Sequence, residues 1–153
     1  MSAGKEGNLI VFRFEDGEDV RESLKRVAKE HQILSGVILS GIGMLRDFEI
    51  GFYSREKTNY VMHQFNEPIE LLSCSGNISL ENSETIFHLH VVLARNDNHA
   101  IGGHLNKATV HHTIEGVIMK LSQIQLTRDS GTGILHVSYR GEQEAMRQPQ
   151  KTG

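Results

Sequence analysis

Hydrophobic and polar positions along this chain alternate with a period of two far more often than they repeat every three or four residues. Leu9 to Phe14 is a short β-rich run, closed by the turn chemistry of Glu15-Asp16-Gly17-Glu18. The pattern then changes. Val20, Leu24, Val27, Ala28 and His31 recur at helical spacing, and Asp19 with Glu22 three residues later resembles a capping box, which predicts a helix beginning at Asp19. Beyond it the period of two returns. Val37-Ile38-Leu39, Met44–Tyr53, Tyr60–Phe65, Ile69–Leu80, Thr85–Ala94, Thr109–Leu126 and Ile134–Tyr139 all read as strands, and Gly41-Ile42-Gly43 reads as a turn between two of them. Many strands in close succession with one early helix predict an α+β domain, a mainly antiparallel sheet with the helix covering one face.

Composition narrows this picture without changing it. A chain of 153 residues suits one domain, placed at residues 8–140, with 1–7 and 141–153 expected as flexible termini. The formal net charge of −3 offers no basic field to attract nucleic acid. One cysteine, Cys74, excludes an intramolecular disulfide, and its apolar neighbours Leu71, Leu72 and Ile78 predict a buried thiol rather than a nucleophile. The first residues carry no apolar signal region and no stretch reaches transmembrane length, so a cytoplasmic protein without membrane contact is expected. In that setting Asn77-Ile78-Ser79 has no meaning as a glycosylation acceptor.

The candidate chemistry lies in histidines. On the strand Thr85–Leu93, His88 and His90 share one face about 6.6 Å apart. Ile86, Val92 and Ala94 share it too, an apolar setting in which two unpartnered imidazoles are costly. The turn formers Ala94–His99 and the pair Gly102-Gly103 allow the chain to fold back and bring His104 beside them. Three neutral imidazoles with an open fourth position suit Zn²⁺ or a similar divalent ion, although histidines also cluster at such spacings without a metal. Other motifs are weaker. Gly41-Ile42-Gly43 lacks the third glycine of a dinucleotide fingerprint, since Arg46 stands in its place. His111 and His112 are adjacent, so on a strand at most one could join a site. Glu70, Ser73 and Glu115 are polar strand positions open to supporting, acid–base or merely solvent-facing roles.

Four blocks, Ser40–Leu45, Glu70–Ile78, His88–Val91 and Gly102–Leu105, together resemble the plant-and-prokaryote-conserved domain family, in the family's order, and the likeness extends from about Asn8 to Tyr139. The resemblance implies a homotrimer and, in its prokaryotic branch, a metal held by the histidines that correspond to His88, His90 and His104. The fold of that family is similar to acetolactate decarboxylase, a zinc enzyme whose three ligand histidines include an H-x-H pair. A metal-dependent decarboxylase- or hydrolase-like enzyme acting on a small molecule is therefore the alternative to a metal-binding assembly module with a regulatory role. The family's association with DNA comes from plant members that carry AT-hooks. This chain has no Arg-Gly-Arg-Pro core and its balance is acidic, so tight duplex binding is not expected.

Overall fold

The computed structural model describes residues 1–141. Its elements in chain order are β1 (Ser2–Glu6), β2 (Leu9–Glu15), α1 (Val20–Glu30), β3 (Gly36–Ser54), β4 (Asn59–Phe65), β5 (Ile69–Glu81), β6 (Glu84–Ala94), β7 (Ala100–Lys120), β8 (Ile124–Arg128) and β9 (Leu135–Tyr139). The fold is α+β, as the alternation implies. The named strands pair antiparallel except for a single parallel contact between β5 and β8 at Leu80 and Thr127. Strands β3, β5, β6 and β7 close on one another, because β3 pairs with both β5 and β7 while β6 bridges those two.

The interior of this closed set holds the core. Phe87, Leu89, Val91 and Leu93 of β6 point into it, along with Leu105, Val110, Ile114 and Ile118 of β7 and Ile10, Phe12 and Phe14 of β2. The helix contributes Val20, Leu24, Val27 and Ala28 to the same cluster. It starts where the capping pattern places it: the Asp19 carboxylate accepts the Glu22 N–H, satisfying a donor that the first turn leaves free. Cys74 is buried as expected, and burial pushes its thiol up to about 11, so it stays protonated.

Three details depart from the sequence reading. Gly41-Ile42-Gly43 does not turn the chain; β3 runs through it as one strand of 19 residues. Gly43 instead occupies a bulge at φ 139°, where an added Cβ would stand 2.1 Å from the Thr113 carbonyl oxygen. The run expected over Thr109–Leu126 is two strands, since β7 begins earlier, at Ala100, and ends at Lys120 before β8. Ser2–Glu6, expected within a flexible start, pairs with β2 through a tight reversal at Gly7, where φ is 57°. Its side chains are mostly exposed, so no alternation announces it. At the other end, the expectation for the tail falls almost wholly on residues 142–153, outside the described residues.

Candidate metal centre

Residues directly opposite in an antiparallel ladder project to the same face, and β6 is paired on both sides. His90 lies opposite His104 of β7 and Ser75 of β5, while His88 lies opposite Asn77 of β5. The register therefore gathers His88, His90 and His104 on one face, with Asn77 and Ser75 beside them. This face is more open than the apolar company of Ile86, Val92 and Ala94 suggests: the buried positions of β6 are the alternate ones, Phe87 to Leu93. His90 is exposed, and His88 and His104 are half-buried.

The approach of β7 to β6 depends on glycine. A Cβ on Gly102 would meet the Val91 carbonyl oxygen at 2.5 Å, closer than any real contact. The chain reverses just before, at Arg95–His99, with Asn98 at φ 65°. The glycine pair thus does what the sequence reading asks of it, and the neighbouring turn supplies the reversal.

The three imidazoles each offer a nitrogen such that all three lie within 4.8 Å of one another. His88 and His90 stack at an interplanar angle of 13° with their Nε2 atoms 2.9 Å apart. His104 stands nearly perpendicular to both, at 89° and 80°. Two nitrogens on one tetrahedral zinc would be about 3.3 Å apart, so the stacked pair is within a few tenths of an ångström of a chelating separation. The Nδ1 of His104 is enclosed without a hydrogen-bond partner. A buried polar atom left so costs about 1–3 kcal/mol, a cost that the fold bears to keep the ring in this place. The residues present fit a divalent ion.

Electrostatics favour the ligating form. Burial is the largest cause that lowers His104, to about 4, and the positive ends of His88, Arg21, His90 and Arg128 add to it. Burial, then Arg128, also lowers His88. Neutral imidazole is the form that binds metal.

Four residues around the site escape sequence reasoning. Arg21 of α1 donates to three main-chain carbonyls, Phe87 at 3.0 Å, Leu105 at 2.5 Å and Asn106, and so ties the helix to the residues next to His88 and His104. Arg128 donates from Nη2 to the Asn77 Oδ1 at 3.0 Å. The Tyr60 ring packs on His104 with centroids 4.6 Å apart. Asn77 had a usable signal, its place within the Glu70–Ile78 block; the other three had none, because their contacts join distant parts of the chain. The remaining candidates stand elsewhere. Glu70, Ser73 and Glu115 are exposed and lie opposite Ala94, Val92 and Arg13, respectively. His111 Nδ1 lies 3.0 Å from Arg46 Nη1, and His112 sits in the left-handed region at φ 64°, donating its N–H to Asp16.

Known proteins share this fold. A metal-containing protein of Archaeoglobus fulgidus superposes with a TM-score of 0.75 at 34% identity, over 88% of this chain and 94% of that one. A plant- and prokaryote-conserved protein of Pyrococcus horikoshii gives 0.76 at 30%, over 87% and 90%. A candidate DNA-binding protein of Bacteroides thetaiotaomicron gives 0.79 at 29%, over 90% and 96%. Curated relatives, bifunctional GlmU proteins of two Synechococcus strains, are 26% identical over 136 residues, and the chain spans only about a fifth of their length. Residues 1–122 match the Plants and Prokaryotes Conserved domain, and the chain belongs to that family.

Proposed function

We propose that this protein is a metal-binding module in which His88, His90 and His104 hold one divalent ion, zinc first, and that three copies assemble around the sheet face that carries them. The observation that carries the reading is the convergence of three imidazole nitrogens within 4.8 Å on adjacent strands. Rigid support comes from the β5–β6–β7 ladder in front and from Arg21 behind. The metal-containing relative supports the same reading.

The trimer rests on what lies next to the histidines. Ile42, Leu72 and Val92 are 50%, 52% and 46% exposed and occupy β3, β5 and β6. Val92 follows His90 by two positions on the same face, so an apolar strip adjoins the site; neighbouring copies would bury it. No helix among the described residues is long and apolar enough to cross a membrane. We place the protein in the cytoplasm, where its lone thiol stays reduced.

A second reading, a metal-dependent enzyme acting on a small molecule, is favoured by one observation. His90 is exposed, so a metal bound by the three histidines is reachable from solvent. Such an ion polarises a carbonyl oxygen or acidifies a bound water. The chain's own part is to hold three neutral donors and to leave one side open; Glu70 and Glu115 do not join the cluster as acid or base.

Equilibrium dialysis of the purified protein against zinc, followed by elemental analysis and light scattering, tests both halves. One ion per chain and a mass about three times the 17.2 kDa of the chain are expected. Binding without turnover across a small-molecule panel favours the module, and turnover that zinc restores after chelation favours the enzyme.

A further inference from the structure

The charge around the three histidines does not balance. Neutral imidazoles bring no negative charge to a divalent ion, and no carboxylate of the described residues joins the cluster. The charged side chains that reach the residues beside the histidines are arginines: Arg21 at the Phe87 and Leu105 carbonyls, and Arg128 at the Asn77 amide.

The two arginines differ in how their donors are used. Arg21 spends its guanidinium on three main-chain carbonyls and acts as a strut. Arg128 is held less completely. Its Nη2 donates to Asn77 Oδ1 at 3.0 Å, its Nη1 to the Gly133 carbonyl at 2.6 Å, and its Nε is enclosed with no partner. Both acceptors are neutral, and Arg128 makes no ion pair among the described residues. The nearest acid in sequence, Asp129, is engaged instead with His136 at 3.1 Å. Asn77 lies opposite His88, so the side chain that anchors Arg128 projects from the same sheet face as the histidines. Arg128 lies at the end of β8, in the β8–β9 hairpin that follows the family-matched residues 1–122.

We propose that Arg128, anchored by Asn77 on the face of the three histidines, is a binding residue for a small oxyanion that occupies the metal site. The proposal rests on the metal reading and names the ligand class it serves: a carboxylate of a small organic acid, or a phosphate ester. A planar guanidinium pairs with either through two parallel N–H donors, and a divalent ion with three neutral ligands keeps its full charge for the same anion. The anion's charge offsets that of the ion and of the guanidinium, a cluster that the protein itself leaves positive.

Calorimetric titration of zinc-loaded protein with acetate and, separately, with inorganic phosphate in low-chloride buffer tests the proposal, with Arg128→Gln and Arg128→Lys as variants. Wild type is expected to bind one of the two anions at one per chain. Arg128→Gln should bind it about tenfold or more weakly, and Arg128→Lys should fall between them, since it keeps the charge and loses the fork. Zinc content should be equal in all three, and circular dichroism confirms that each folds. Preference for acetate assigns the organic acids, and preference for phosphate assigns the esters. Failure of zinc-loaded wild type to bind either anion, or equal binding by Arg128→Gln, overturns the proposal and leaves the metal reading standing. Absence of zinc uptake overturns the metal reading; the metal-free proteins then decide the arginine, because a wild-type affinity that Arg128→Gln lacks supports its role and equal affinities refute it.

Discussion

His90 and His104 face each other directly across the β6–β7 ladder, two residues from the pairing of Val92 with Gly102. Their meeting is a property of the register, and the register depends on Gly102, where an added Cβ would meet the Val91 carbonyl oxygen at 2.5 Å. Gly102→Ala should therefore force β7 away from β6. Overpacking of this kind costs about 1–3 kcal/mol. Urea denaturation should show that loss of stability together with a drop in zinc affinity, and unchanged zinc affinity would mean that the histidines do not depend on this close approach.

Arg21 has a different kind of leverage, because its donors bond main-chain carbonyls rather than imidazoles. Its three bonds to the carbonyls of Phe87, Leu105 and Asn106 join α1 to the two strands that carry the ligands. Arg21→Met keeps most of the stem and leaves those carbonyls without their charged donor, a loss of about 2–3 kcal/mol on the scale of charge-assisted bonds. Chemical denaturation checks the stability. A variant as stable as wild type would show that the helix is held by its apolar face alone.

Protons should act on the metal-free protein in a defined direction. His104 is lowered from its ordinary 6.5 to about 4, chiefly by burial. Below 6.5 the unfolded chain takes up a proton that folded His104 refuses, so stability falls as pH drops from 6.5 towards 4 and levels off below that. His88 is shifted in the same direction and adds to the slope. Denaturation curves at pH 7, 5.5 and 4.5 should show this decline, and His104→Asn should flatten it. An equal slope in that variant would assign the acid sensitivity to other groups.

The strip of Ile42, Leu72 and Val92 gives the assembly a test of its own. Val92→Glu puts a charge where neighbouring copies would exclude water, at a position that is 46% exposed in the single chain and so tolerant of the change there. Light scattering should find wild type near three chain masses and Val92→Glu near one. A wild-type monomer at micromolar concentration would remove the trimer.

Much of the site is legible in the sequence, for reasons that particular residues make plain. The placement of His88 and His90 on one face follows from the period of a strand, and Gly102-Gly103 signals the close approach that delivers His104. The Asp19 cap and the apolar positions of α1 are equally local signals. What was illegible is non-local. Nothing in the neighbourhood of Arg21 or Arg128 announces that one grips carbonyls of β6 and β7 and the other an amide on β5. Glycines mislead in the same way: Gly41 and Gly43 look like turn residues, yet in β3 they admit neighbouring strands at close range, which a single segment cannot reveal. β1 pairs by a tight reversal while exposing most of its side chains, so it leaves no hydrophobic trace.

One ion shared by three particular imidazoles fixes a metal content per chain that can be counted. Wild type and the alanine variants of His88, His90 and His104 are each incubated with zinc, freed of excess and analysed by elemental mass spectrometry, with His31→Ala, His63→Ala and His136→Ala as controls outside the cluster. About one zinc per chain is expected in wild type and in the three controls, with a sharp loss in each of the three ligand variants. Wild type that stays metal-free after exposure to zinc, manganese, nickel and iron, or ligand variants that retain full occupancy, would contradict it.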